Sequence, residues 1–97
     1  MKKILNLTQH MITREQENKG VFEPELEDKN KIKELLTFND IPSKQEINKR
    51  AKELTKIAKK YDDVKKVMIG GALFLMSFLE RELKNNNIVP LYAFIKE

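Results

Sequence analysis

Thr8, Gln9 and His10 put a hydroxyl, an amide and the chain's only imidazole into three consecutive positions. An imidazole changes charge near neutral pH and can act as a general base, and hydroxyl and amide groups hold anions by hydrogen bonding. Far along the chain, Gly70 and Gly71 let a ligand approach bare backbone. The helix that opens at Ala72 offers N–H groups with partial positive charge. Tyr92 and Lys96, on the last strand, can either reach a pocket rim or face solvent. Brought together, these groups suit a phosphate or another anion. The glycine pair has no following Gly-Lys-Ser/Thr and is not a GxGxxG turn, so neither common nucleotide fingerprint is present. One histidine without carboxylates at ligand spacing gives no metal site. Ser43 and Ser77, the only serines, both fall in helical contexts, which removes a serine triad. The sequence asks for no cofactor. Plain readings stand beside these: His10 as a solvated turn residue, and Gly70-Gly71 as a tight turn under a buried helix.

These residues need elements to hold them. "KKILNLT" predicts a first strand, apolar at Ile4, Leu5 and Leu7. Thr13 and Gln16 form a capping-box pair that starts a short helix at Arg14 and lets it end before Gly20. "GVFEPE" is a brief second strand, placed at a sheet edge by Pro24. Asp28 is expected to cap the next helix, in which Ile32, Leu35 and Leu36 share a face. Ser43 and Glu46 predict a second capping box, and Ile47, Ala51, Leu54, Ala58 and Tyr61 form the apolar stripe of the helix that follows. Asp62 and Asp63 end that helix, and "VKKVMIGG" predicts a central third strand. Helix 72–84 is apolar almost all round, which predicts burial on several sides, against the sheet and against a partner subunit, and "NNN" at 85–87 stops it before a last strand, "IVPLYAFI".

An order β-α-β-α-α-β-α-β with helical crossovers implies an α/β fold and a small Rossmann-like three-layer sandwich. Right-handed connections give a four-stranded, mainly parallel sheet of order 2-1-3-4, with helices on both faces and one domain spanning residues 1–97. Ligands in such sheets bind beyond the carboxyl ends of strands where the strand order reverses, here between the first and third strands. That geometry predicts that residues 8–10 and 70–71 meet at one rim.

Composition limits the partners. The net charge of +4 is uneven: residues 1–28 carry −2, residues 29–66 carry +6, and residues 67–97 are balanced. The basic middle includes Lys49, Lys52, Lys56, Lys59 and Lys60, opposite the apolar stripe of their helix. That is the look of a solvated face with few aromatics among the lysines, so duplex nucleic acid is not an expected partner. No apolar run approaches the roughly 20 residues of a bilayer span, and no secretory signal is expected. The absence of cysteine excludes disulfides and thiol nucleophiles and suits a reducing cytoplasm.

"ILNLTQH", Thr-x-Glu-Gln at 13–16, "GV" at 20–21, "LLTF" at 35–38, "IPS" at 41–43, "MIGGALFLM" at 68–76 and "PLYAF" at 90–94 resemble a family of small, uncharacterised bacterial one-domain proteins. More distantly, "NLTQH…T-x-E-Q" and "YAF-x-K" are similar to CRISPR-associated Rossmann-like proteins proposed to bind or degrade cyclic oligoadenylates. Such families usually close the last strand with Tyr-Ala, then Ser or Thr, then a basic residue; here Phe94, Ile95 and Lys96 stand instead. The resemblance implies a homodimer whose two pockets meet around a two-fold axis, metal-independent and suited to a symmetrical cyclic ligand. It implies that His10 assists attack of a ribose 2′-hydroxyl on the neighbouring phosphate. Thr8, Gln9, Gly70 and Gly71 would hold that phosphate and Lys96 would neutralise it. Three functional classes follow: a nucleotide-binding domain, with or without cleavage of RNA-like phosphodiesters; a non-enzymatic interaction module; and, least favoured, a subunit of a larger α/β enzyme.

Overall fold

In a computed structural model describing residues 3–61 and 63–93, strands β1 (Ile4–Asn6), β2 (Val21–Phe22), β3 (Lys66–Ile69) and β4 (Val89–Tyr92) form one sheet. Helices α1 (Arg14–Asn18), α2 (Leu26–Leu36), α3 (Lys44–Lys59) and α4 (Leu73–Asn85) connect them. The strand order is β2-β1-β3-β4 and every pairing is parallel, as the crossovers predicted. Asn6 pairs with Met68 and Ile69 with Tyr92, so the carboxyl ends of β1, β3 and β4 share one edge.

The two faces of the sheet are unequal. Side chains alternate along a strand, and Leu5, Leu7, Val67 and Ile69 enter the core built with α2, α3 and α4. Ile4, Val21, Met68 and Leu91 lie on the opposite side, where the five-residue α1 is the covering helix. The reversal of strand order explains this. The step from β1 to β2 runs one way and the two later crossovers run back, so connections of one hand place α1 on one face and the other helices on the second. Helices do lie on both faces, but one outer layer is a single short turn of helix.

Local chemistry sets the ends of the elements. Thr13 accepts the Gln16 N–H at 3.1 Å while the Gln16 side chain accepts the Thr13 N–H at 3.0 Å, a complete capping box. At α3 only half of the expected box forms: Ser43 accepts the Glu46 N–H at 3.1 Å, and the Glu46 carboxylate turns to Arg50 at 3.8 Å instead. The asparagine run ends α4 in a Schellman motif. Asn87 takes φ 62°, its N–H donates to the Lys84 carbonyl at 3.1 Å, and the Ile88 N–H reaches Leu83 at 2.9 Å. Pro90 lies on edge strand β4 with its ring nitrogen facing away from β3, since the N–H groups of Val89 and Ala93 are the ones that donate to β3 and its lead-in. That edge therefore lacks a donor and resists further strand pairing.

Two expectations need correction. Asp28 does not cap α2, which starts two residues earlier with Glu25 at the cap position. The Asp28 carboxylate instead accepts from Lys60 Nζ at 2.6 Å and Tyr61 Oη at 2.7 Å, tying the start of α2 to the end of α3. Within the described residues helix α4 is buried on one side only. Leu75, Met76, Leu79 and Leu83 face the core, but Leu73 is 86% exposed, because no further layer among the described residues lies beyond its outer surface. Asp62, one of the two residues expected to end α3, lies outside the described residues. No helix among the described residues is long and apolar enough to cross a membrane.

Candidate ligand site at the strand ends

The open sheet face and α1 enclose a cavity of about 680 Å³, within the range of about 300–1,000 Å³ common for small-molecule sites. Its floor takes one apolar side chain from each strand: Ile4, Val21, Met68 and Leu91. Thr13, Glu15, Gln16 and Lys19 form the α1 wall, and Thr8, His10, Met11 and Gly70 form the end at the carboxyl edge. Thr8 and His10 therefore do meet Gly70 across some sixty residues of chain. Parallel pairing causes this: β1 and β3 run side by side and finish together.

The other expected residues fall elsewhere. Gln9 is exposed and does not line the cavity. Gly71 turns toward the helical core; with φ +152°, a Cβ there would sit 3.4 Å from Met76 and 3.6 Å from Leu36. The first turn of α4 follows that direction, and none of Gly71, Ala72 and Leu73 lines the cavity. Lys96 lies outside the described residues.

A buried polar cluster beneath His10 was not anticipated. Asn6, fully buried, donates from Nδ2 to the His10 carbonyl at 2.8 Å and to Glu23 Oε1 at 3.0 Å. Its Oδ1 accepts the Thr8 N–H at 2.9 Å and the Thr8 hydroxyl at 2.6 Å. Lys29 Nζ donates to the Thr8 carbonyl at 3.0 Å, the His10 carbonyl at 2.8 Å and Glu23 Oε1 at 2.9 Å. Glu23 Oε2 takes the Ile12 N–H at 2.7 Å. Every buried polar atom of this cluster is paired, as a low-dielectric interior requires. The cluster locks backbone 8–12 against β1, β2 and α2, and the exposed His10 ring projects from that locked loop. The Thr8 hydroxyl, engaged with Asn6 and accepting the His10 N–H at 3.3 Å, serves the loop's shape.

A profile of one protein family matches residues 2–96. The chain belongs to the Uncharacterized protein MJ1673 family. No curated protein and no solved structure matches it. In this MJ1673-family domain the charge at the cavity is mixed, with Lys19 and Glu15 on α1 paired at 3.7 Å. At the far side Tyr92 donates its hydroxyl to Glu80. That hydrogen bond, reinforced by partial burial and the carboxylate's charge, raises the Tyr92 phenol above its ordinary value. The same bond holds Glu80 below its own, with Lys84 adding to it against a smaller opposing effect of burial. The site thus combines an apolar floor with the His10 imidazole at its polar end, while the Tyr92 phenol, bonded to Glu80 of α4, is turned to the helical side of the sheet. Such a floor accepts a planar apolar group, and the polar end accepts hydrogen-bonding ones.

The signals for the missed residues existed. Lys29 lies three residues before Ile32 and seven before Leu36, on the buried stripe of α2. Asn6 interrupts "ILNL" at the position that faces away from the apolar core.

Proposed function

We propose that the cavity binds a nucleotide, with the base on the floor of Ile4, Val21, Met68 and Leu91 and the phosphate at the Thr8–His10–Gly70 end. The observation that carries this reading is the convergence of His10 and Gly70 at one end of an apolar-floored cavity at the topological switch point. Resemblance to cyclic-oligoadenylate-binding Rossmann-like proteins supports an adenylate ring as the ligand and a homodimer as its host. A cysteine-free chain suits the cytoplasm for this work.

Cleavage is the further step of the same reading. The neutral His10 imidazole takes the proton of a ribose 2′-hydroxyl, and the 2′-oxygen bonds to the adjacent phosphorus as the bond to the 5′-oxygen breaks. The products are a 2′,3′-cyclic phosphate and a 5′-hydroxyl, which takes up its proton from water. Positioning and a general base are sufficient for this chemistry without a metal. A thermal-shift panel of cyclic oligoadenylates, adenosine 5′-monophosphate and linear dinucleotides tests binding. His10→Ala then separates the steps: turnover lost with affinity kept assigns the base, and undiminished turnover removes His10 from the chemistry. No shift with any nucleotide refutes the reading.

A second reading, a non-enzymatic interaction module, is favoured by the exposure of Met11, Val89, Leu91 and Tyr92 around the thinly covered face. Sedimentation equilibrium with and without adenylates discriminates: self-association that substitution at Leu91 abolishes, with no nucleotide response, supports the module.

A further inference from the structure

The loop under His10 sorts its amide groups. The N–H groups of Thr8, His10 and Ile12 point inward and donate to Asn6 Oδ1 at 2.9 Å, Thr8 Oγ1 at 3.3 Å and Glu23 Oε2 at 2.7 Å. The N–H groups of Gln9 and Met11 have no acceptor among the described residues. Lys29 explains the alternation. Its ammonium, on a side chain 5% exposed, spends its three protons on the Thr8 carbonyl, the His10 carbonyl and Glu23. Both carbonyls are thereby drawn inward. All peptide bonds described are trans, and in a trans peptide the next N–H points opposite to the carbonyl. The amides of Gln9 and Met11, one on each side of His10, must therefore point away from Lys29 and outward from the cluster.

We infer that the Gln9 and Met11 amides form an anion cradle for a phosphate group, and that Lys29 is the positioning residue that creates it. This rests on the reading of the cavity as a nucleotide site and puts its phosphate at the rim, where Met11 lines the cavity and Gln9, two residues away, lies just outside it. The cradle attracts through oriented backbone dipoles, the mode of backbone anion nests, because Glu23 balances the lysine's charge. His10, between the two donors, then faces the phosphate with its ring. The role sensed in Gln9 from its side chain belongs in this picture to its main chain. The amides at the start of α4, which open away from the cavity, take no part.

Backbone-resolved NMR on the full chain tests this with three probes at constant ionic strength: adenosine 5′-monophosphate, adenosine and inorganic phosphate. Expected are downfield shifts of the Gln9 and Met11 amide protons with the monophosphate and with phosphate, and none with adenosine. Lys29→Met should weaken the monophosphate about tenfold or more, the scale of a lost hydrogen bond to a charged group, and leave adenosine affinity unchanged. A merely structural lysine would move both ligands together. Met11→Pro, which deletes one donor, should give a similar selective loss and keeps the test open if Lys29→Met does not fold. Shifts confined to Ile4, Val21, Met68 and α1, with Gln9 and Met11 still, overturn the cradle and leave the cavity reading standing. No shift with any of the three probes removes both.

Discussion

Replacing Asn6 with leucine asks whether the buried cluster holds the His10 loop. Both side chains branch at Cγ but leucine is larger by about two methylene groups, so the change removes four hydrogen bonds and overpacks a fully buried position at about 1–3 kcal/mol. Two of the lost partners are not stranded. The His10 carbonyl keeps Lys29 at 2.8 Å, and Glu23 Oε1 keeps it at 2.9 Å. The Thr8 hydroxyl can turn to the His10 carbonyl at 3.2 Å. The Thr8 N–H, buried and bonded to Asn6 alone, has no alternative. An orphaned buried donor costs about 1–3 kcal/mol, and each shared bond about 0.5–1.5 kcal/mol. Burying a leucine returns roughly 1.5–3 kcal/mol, about what the overpacking costs, so the lost hydrogen bonds set the balance. The net loss is about 3 kcal/mol, or on the order of 10–20 °C in Tm for a domain this size. A domain of this length has about 5–15 kcal/mol of stability, so the variant should still fold. Urea denaturation followed by circular dichroism should show a lower midpoint with the slope m unchanged, and exchange of the Ile12 amide should accelerate. Asn6→Asp is the companion variant. It keeps both acceptor contacts to Thr8 but sets a second carboxylate beside Glu23, so it should gain on wild type as pH falls and the carboxyl regains a donor. A loss below about 1 kcal/mol for Asn6→Leu would refute the claim that this cluster shapes the loop.

Asp28 gives a pH prediction. Burial alone would raise its carboxyl, but hydrogen bonds from Lys60 and Tyr61 and the charge of Lys60 outweigh it and hold the group below its ordinary 3.8. A depressed carboxylate contributes its stability in full above the unfolded value and loses it as pH falls through the lower folded value. Asp28→Asn should therefore lower the urea midpoint at pH 6 and flatten the decline below about pH 4, measured against wild type. Burial and donation to Asp28 push the Tyr61 phenol up to about 12, with the Glu25 N–H opposing in part. Tyr92 is raised as well, so absorbance at 295 nm, a phenolate wavelength, should show less ionisation at pH 10 in the folded chain than in the unfolded one. A normal titration of both tyrosines would contradict these contacts. Since Tyr61 is raised, its contribution is complete below its unfolded value of 10.0 and fades as pH climbs toward 12. The glycines should part company. At Gly70 a Cβ would meet Thr8 Cγ2 at 3.6 Å and Ala93 at 3.8 Å, ordinary contacts, so Gly70→Ala should fold normally yet weaken adenylate binding at the cavity end. Gly71→Ala should lose about 1–3 kcal/mol to backbone strain at φ +152° without a specific effect on affinity, as paired melting and titration experiments would show.

Residues that obey a hydrophobic period were readable before any coordinates. Leu5 and Leu7, Ile32 and Leu36, the Ile47–Ala51–Leu54–Ala58 stripe, and the buried side of α4 all sit where a period of two or 3.6 places them. Strand order followed from them, because crossovers of one hand leave few arrangements for four short strands. The thin α1 layer and the outward Leu73 were harder to read, since how much of an apolar helix gets covered depends on what lies beyond it. Asp28 misled because a cap and a tertiary ion pair use the same residue type, and only the distance to Lys60 and Tyr61 separates them.

The site itself obeys a different logic. Its polar residues are buried all the same, Asn6 on the face of β1 that turns away from the apolar core and Lys29 on the inner stripe of α2, and each exists to satisfy main-chain groups of a loop rather than to fill volume. A polar side chain set in a buried stripe carries a desolvation cost that only a full set of partners offsets. Such residues therefore indicate a loop whose backbone must keep one shape. Here the loop so held is the one carrying the chain's single histidine, and the amides its cluster leaves without acceptors flank that histidine. A loop needed only to join a strand to a helix could have remained polar and solvated, with leucine at position 6. The buried lysine and asparagine make mechanical sense when residues 8–12 must present a fixed set of donors to something bound in the cavity.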